Sequence, residues 1–412
     1  MAINLIHISD IHFGSGESHG SLNPQTGLNI RFEDFVEALR KAVQYAIDEK
    51  IDVFLFSGDA YKNASPEPIY QKMFAQELKR LSDAGIKTIL VVGNHDQILR
   101  ATGSHSMSVF QSLEVPGVII IDKPMSIKLD TRNGAFQLVG LPHVNRNQLV
   151  TLEKYGNVSA SQIDRVLVEH ITEILSAFYG ELDSSLPTVV TAHMTVDRAL
   201  AGIEQELLVG YTQTFPTDIF VHRNIDYVAL GHVHKHQQVR PSDPPIVYAG
   251  SLERVDFGEE REDKGFVHVK LARNNTSFEF KSINPRPFLT VELDVVAKED
   301  PLAAICKKIA EAIIPGCVLR VRYKLSQEQA TSIDENQIRK ACQSALSVRL
   351  QPEVVPTASR ARLPQLNESQ AASPMVALET YLDEFAPERK ETLIKLAGEI
   401  MNEVAAKFQG NE

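Results

Sequence analysis

The chain is poor in several features that would narrow its environment. No apolar run approaches the ~20 residues that a membrane-spanning helix needs, so no membrane span is expected. The N-terminus has no basic region, apolar core and cleavage site, and it runs straight into an apolar segment at Ile3. Secretion is therefore not expected, and a cytoplasmic location is. The three cysteines, Cys306, Cys317 and Cys342, form no close pair motif and lie far from the histidines. They read as reduced packing residues. Positive charge is also short, with 42 Lys and Arg against 53 Asp and Glu and a net charge of -11. That balance argues against a broadly basic surface that coats nucleic acid. Any nucleic-acid affinity is then weak or shared with another chain. No ATP-binding Gly-x-x-x-x-Gly-Lys run is present, so ATP dependence would have to come from a partner.

What the chain does have is a set of short polar segments, each placed after a run of apolar residues. They are Asp10-Ile11-His12, Gly58-Asp59, Gly93-Asn94-His95-Asp96, His193 and Gly231-His232-Val233-His234. The preceding runs are Ile3–Ile8, Val53–Phe56, Ile89–Val92, Val189–Val190 and Tyr227–Leu230. Such runs read as buried strands. In α/β sheets, ligands collect beyond the carboxyl ends of the strands, so these segments are expected to converge on one edge. Together they offer two Asp, one Asn and four His, with His95 left over. Four imidazoles are more than Mg²⁺ usually accepts. Carboxylate, carboxamide and imidazole together suit Mn²⁺, Fe²⁺ or Zn²⁺. Two divalent ions held by two carboxylates leave excess positive charge, which suits an anionic phosphate ester.

The set closely resembles that of the calcineurin-like metallophosphoesterases. Within them the chain is similar to the SbcD family, the nuclease subunits of bacterial SbcC–SbcD DNA repair complexes. The stretch from Val247 to Glu260, followed by Lys264-Gly265-Phe266, carries that closer likeness. The resemblance covers about residues 3–270 strongly, and the remainder in layout. It implies two divalent metal ions, Mn²⁺ foremost. Asp10, His12 and His234 would hold the first, Asn94, His193 and His232 the second, and Asp59 would bridge them. His95 would be a general acid over the leaving group, oriented by Asp96; its other reading is a structural histidine beside the site. Lys62, Arg254 and Lys264 are candidate DNA contacts, with a solvated charged face as the alternative. Relatives carry His or Asp where Lys62 stands, which leaves cleavage polarity and substrate preference open. His7 reads as a core residue, and His236 as core or as support for the site. His105, His143, His170, His222 and His268 have no partner spacing.

The organisation follows from periodicity. Phe32–Glu49 and Pro66–Ala84 read as helices, and with the first three strands they give a βαβαβ unit. A helix over Ala160–Tyr179 precedes strands at Leu186–Ala192, Asp226–Leu230, Ile246–Ala249, Phe266–Leu271 and Phe278–Ser282. The expected fold is α/β (α+β), a four-layer αββα sandwich over 1–285. A β–α–β–α unit is expected over 286–355, with strands at Phe288–Val296 and Cys317–Tyr323 and helices at Pro301–Ile314 and Glu335–Leu346; the resemblance implies that it is a small capping domain. A polar, proline-containing linker spans 356–374. Helices over 375–412 carry an apolar stripe of Leu393, Leu396, Ile400, Val404 and Phe408.

By resemblance the function is DNA phosphodiester hydrolysis, as a 3′→5′ double-strand exonuclease and single-strand endonuclease. The partners implied are DNA, an SbcC-type coiled-coil ATPase docked on the C-terminal helices, and a second copy in a homodimer within a heterotetramer. Met107, Val109, Phe110 and Leu113 in Ser104–Leu113 are the candidate dimer face, or else ordinary core. Two other classes stay open: a stand-alone phosphoesterase for small molecules or phosphoproteins, and a non-catalytic partner-binding scaffold.

Overall fold

In strand β1 (Ile3–Ile8), alternate side chains go to different cores: Ile3 and Leu5 to one cluster, Ile6 and Ile8 to another. β2 (Val53–Phe56) repeats the pattern, with Val53 and Leu55 on one face and Phe54 and Phe56 on the other. This is the period of two expected of strands buried on both faces. β3 (Lys87–Val91) and β4 (Val118–Ile121) continue the parallel row. Between them run helices α1 (Ile30–Asp48), α2 (Pro68–Asp83) and the short α3 (Ser108–Ser112). Asn29 starts α1 by accepting the Arg31 amide at 2.9 Å, and Pro68 is the first residue of α2; both are favoured starts. The computed structural model describes residues 2–98, 104–144, 160–200, 213–241, 243–355, 374–385 and 387–409.

A second sheet follows. β5 (Met125–Thr131) and β6 (Gly134–Leu141) form a hairpin, and α4 (Ala160–Gly180) leads to β7 (Thr188–His193). A small parallel pair, β8 (Thr195–Val196) and β9 (Thr214–Phe215), stands apart. β10 (Tyr227–Gly231), β11 (Gln237–Arg240) and β12 (Ile246–Tyr248) complete the sheet, in the order β11-β12-β10-β7-β6-β5. The chain then returns to the first sheet through β13 (Gly265–Leu271) and β14 (Ser277–Ser282), giving β14-β13-β1-β2-β3-β4. Leu5, Leu55 and Val91 of the first sheet share a core with Leu138, Val189 and Ala229 of the second. The helices α1 and α2 cover the far face of the first sheet, and α4 covers that of the second. The αββα layering expected from the sequence is therefore present.

By internal contacts the chain forms two units. The first is Met1–Val291 with Ile309–Val321 and Arg339–Leu350; the second is Glu292–Lys308, Arg322–Ile338 and Gln351–Glu412. A three-stranded sheet has β15 (Phe288–Asp294), β16 (Val318–Ser326) and β17 (Ser347–Val355), in the order β15-β16-β17. Helices α5 (Pro301–Ala310), α6 (Gln327–Ser332) and α7 (Glu335–Ala341) connect its strands. The third strand extends the expected β–α–β–α order. It contains Pro352 and charged residues, and a proline is tolerated there because β17 lies at the edge of the sheet. The helix expected to run from Glu335 to Leu346 ends at Ala341. Helices α8 (Pro374–Phe385) and α9 (Lys390–Gln409) end the chain. Residues 356–373 of the expected linker lie outside the described residues. Among the described residues, no helix is long and apolar enough to cross a membrane.

One expected surface is corrected. Met107 and Phe110 are 0% and 5% exposed and belong to the core under the first sheet, whereas Val109 and Leu113 face solvent. A five-residue helix has two apolar sides here because one packs inward. Phe110→Ala should therefore cost about 3–5 kcal/mol of stability, the usual loss for a buried phenylalanine. Leu113→Glu should cost far less, since it removes no buried contact within the chain. Thermal unfolding of both variants checks this; equal effects would place the core side wrongly.

Candidate metal centre

The loops that follow β1 and β2 run side by side. Amides of Asp10, Ile11 and His12 donate to the carbonyls of Gly58 and Asp59 at 2.9–3.1 Å. Asp10, His12, Asp59 and His232 all have positive φ, at 51°, 51°, 62° and 100°. Side chains other than glycine rarely hold that left-handed region, and such strain gathers at functional sites. Here it turns each polar side chain back toward one point. The Asp10 carboxylate also accepts the His232 amide at 3.0 Å, which ties the loop after β10 to the loop after β1.

The seven expected ligands come together in two groups. His12 Nε2 lies 3.0 Å from His234 Nε2 and 3.8 Å from Asp10 Oδ1. Asn94 Oδ1 lies 2.9 Å from His193 Nε2 and 3.0 Å from His232 Nδ1. Asp59 Oδ2 sits between the groups, 3.7 Å from His12 Nε2 and 3.2 Å from His193 Nε2. Donor atoms of Asp10, His12 and His234 fall within 4.8 Å of one another, as do those of Asp59, His193 and His232. Two donors each about 2.1 Å from one ion, at right angles, are ~3 Å apart, so these separations suit a shared cation. The donor set of oxygen and imidazole nitrogen fits divalent metal ions. The electrostatics agree. Burial opposes charge on His193, yet Asp59 and the Ser57 carbonyl hold its pKa up to about 9. The field that draws a proton to that ring is one that a divalent cation would satisfy.

His95 is exposed beside the first group, its ring 4.9 Å from that of His12. Its amide donates to Asp59 Oδ1 at 2.9 Å. Its Nδ1–H donates to the Lys62 carbonyl at 2.9 Å. Asp96 therefore does not orient it. The Asp96 carboxylate is fully buried and points the other way, accepting the amides of Asp59, Ala60 and Gly93 at 2.9, 3.2 and 3.0 Å and the Ser106 hydroxyl at 2.9 Å. On this tight turn, neighbours in sequence point to opposite sides, so Asp96 braces two ligand-bearing loops. Burial and the nearby Asp59 raise its pKa to about 6.

Two candidate DNA contacts are also corrected. Lys264 is fully buried, 2.9 Å from Glu259 and 2.8 Å from Glu262. The Arg254 guanidinium donates to the carbonyls of Glu259, Arg286 and Glu262 at 3.1, 2.9 and 2.7 Å. Both cations hold the chain after the metal segment together. Lys62 is exposed beside His95. His7 is buried in the core, its Nδ1 3.1 Å from the Tyr227 hydroxyl. His236 stacks on Phe280 and donates to the Tyr248 carbonyl at 2.9 Å, so it supports the fold.

Two residues near the ligands are not visible from spacing alone. Glu259 accepts the Nδ1–H of His234 at 2.6 Å. His143 packs 6.1 Å from the His193 ring and 6.2 Å from the His232 ring. Burial, followed by the neighbouring His193, lowers the pKa of His143 to about 4. It follows β6 just as the ligands follow their strands, a signal that depends on recognising β6.

The family model for calcineurin-like phosphoesterases matches residues 3–236. The chain belongs to that family. It is accordingly a metal-dependent phosphoesterase, and its clustered Asp and His donors suit divalent ions. Among curated relatives, it is 22% identical over 288 residues to the SbcD component of the SbcCD nuclease of Escherichia coli, covering 68% of either chain. It is 25% identical over 328 residues to the DNA double-strand break repair protein Mre11 of Haloferax volcanii, covering 79% of this chain and 62% of that one. The corresponding SbcCD nuclease component of Bacillus subtilis is 23% identical over 264 residues, covering 62% of this chain and 63% of that one.

Asp96→Ala should strip a buried acceptor from three amides and a hydroxyl. Each orphaned donor costs about 1–3 kcal/mol, so the variant should lose several kcal/mol. His95→Ala, on the exposed side of the same turn, should lose under about 1 kcal/mol. Chemical denaturation separates the two; equal losses would contradict the bracing role.

Proposed function

We propose that the chain is a two-metal DNA phosphodiesterase, a 3′→5′ double-strand exonuclease and single-strand endonuclease for breaks or hairpins. Mn²⁺ is its proposed metal, and an SbcC-type coiled-coil ATPase its proposed partner. The observation that carries this reading is the convergence of Asp10, His12, Asp59, Asn94, His193, His232 and His234 on one patch. The names of its relatives, DNA break repair proteins and nucleases, support DNA as the substrate. On this reading 1–285 is the nuclease domain, 286–355 a capping domain that helps position DNA, 356–374 a linker and 375–412 the partner-binding helices.

Bound divalent ions would supply Lewis-acid polarisation of the phosphoryl oxygens and a nucleophile at neutral pH. The protein's own side chains do the rest. Asp59 holds the two donor groups at a set separation. Its Oδ1 also fixes the His95 main chain. With Nδ1–H donated to the Lys62 carbonyl, the His95 ring keeps Nε2 to pass a proton to a departing 3′ or 5′ oxygen, beside the donors of His12 and Asp59. Lys62 stands at the same rim and would meet the DNA backbone.

Association with a second copy and with the ATPase uses apolar residues left in solvent. Val109 and Leu113 are 43% and 67% exposed. On α9, Leu396 and Ile400 are 50% and 53% exposed. A helix with such a face gains stability by laying it on a partner.

Labelled hairpin DNA and a small bis-aryl phosphodiester, each incubated with the protein and Mn²⁺, test the substrate. Cleavage of the small ester alone would favour a stand-alone phosphoesterase. His95→Ala should slow DNA cleavage by about 10²–10⁴-fold, the usual worth of a general acid. The loss should shrink with a nitrophenolate leaving group, which needs no proton. An equal loss on both substrates would remove the acid role. A chain ending near Pro356 should keep Mn²⁺-dependent cleavage and fail to co-purify with its SbcC-type partner. Retention of that complex would place docking elsewhere.

A further inference from the structure

We propose that Glu259 and Lys264 are positioning residues for the first metal ion, clamping His234 so that its Nε2 is the atom offered to that ion. The proposal rests on the two-metal reading of the site and adds residues outside the donor set. Glu259 closes the short turn Phe257–Glu259 and is buried, as is Lys264.

The His234 ring donates from Nδ1 to Glu259 Oε1 at 2.6 Å. A neutral imidazole, the form that binds a metal, donates from one nitrogen and keeps its lone pair on the other. That other atom, Nε2, is the one 3.0 Å from His12 Nε2 in the first group. Glu259 is itself held. Its Oε2 accepts the Val255 amide at 2.9 Å and lies 2.9 Å from Lys264 Nζ. Lys264 Nζ also donates to the His234 carbonyl at 3.1 Å. The ammonium therefore grips His234 twice, at its main chain directly and at its ring through Glu259. A buried carboxylate without a cation would be costly, and Lys264 offsets part of that cost.

The clamp holds His234, in the first group. In the second group, His193 Nδ1 donates to the neutral carbonyl of Ser57 at 2.7 Å. A carboxylate behind a ligating imidazole fixes its tautomer and strengthens it as a donor, and removing such a partner typically weakens metal affinity about 10–100-fold. Loss of Glu259 should therefore fall on one ion of the two.

Titration of the full chain with Mn²⁺ alone tests this, for the parent, Glu259→Ala and Glu259→Gln. The parent should bind two ions. Glu259→Ala should bind one of them about 10–100-fold more weakly and the other as before. Glu259→Gln keeps the shape and an acceptor, so its loss should be smaller and at the same ion. It carries the test alone if the alanine variant does not fold. Nitrogen-15 spectra of the metal-free histidines give a second readout. The His234 Nδ1–H, held by Glu259, should exchange slowly with water in the parent and faster in Glu259→Ala. A parent that binds no Mn²⁺ would overturn the two-metal reading and the clamp with it. A parent that binds two ions, with folded variants that bind both equally well, would overturn the clamp alone. So would equal weakening of both ions, which marks general loosening.

Discussion

The hydroxyls of Ser57 and Thr191 lie 3.0 Å apart, one at the end of β2 and one inside β7, and there the two sheets touch. The Ser57 carbonyl also takes the Nδ1–H of His193 at 2.7 Å. Everything at the metal centre depends on this closeness. The first sheet carries Asp10, His12, Asp59 and Asn94 at its strand ends. The second carries His193, His232 and His234. Neither sheet by itself brings all the donors of either group. Two glycines permit the approach: a side chain on Gly58 would strike the His193 ring, and one on Gly231 the Ser57 carbonyl. Because the site exists only when the sheets are packed, cation binding and sheet packing must stabilise each other.

The brace from Asp96 works on the same principle at shorter range. One buried carboxylate collects amides from the loop after β2 and from the loop after β3. Those loops deliver Asp59 and Asn94, one to the middle of the site and one to its second group. The Asp10 carboxylate does likewise for the loop after β10. The loops that carry these donors are thus held by their neighbours' carboxylates. Part of the cost of ordering the site is met in folding.

Much of this is legible in the chain because each ligand follows an apolar run, and such runs are what a buried parallel strand requires. The layering follows from the same runs. What is not legible has identifiable causes. β5 is an edge strand with Lys128 and Asp130 along it, so its pairing with β6 leaves a weak pattern. An unrecognised β6 hides His143 at its end. Adjacency to His95 suggests a partnership for Asp96, although consecutive residues on a tight turn diverge. Met107 and Phe110 are apolar at helical spacing, and spacing alone does not tell a core face from an interface. Lys264 reads as a surface cation in sequence because its counter-charges, Glu259 and Glu262, contact it only in the fold.

The left-handed backbone at Asp10, His12, Asp59 and His232 has a consequence for how such a chain can change over generations. An L-residue in that region sits roughly 1–2 kcal/mol above its relaxed state, where glycine would not. Function therefore draws on the fold's margin of stability at four places that the fold itself would fill differently. A lineage released from selection for catalysis would find substitutions at these positions favourable, and the ligands would be among the first residues to go. At these four positions the placement of the side chain, not the comfort of the backbone, decides the residue.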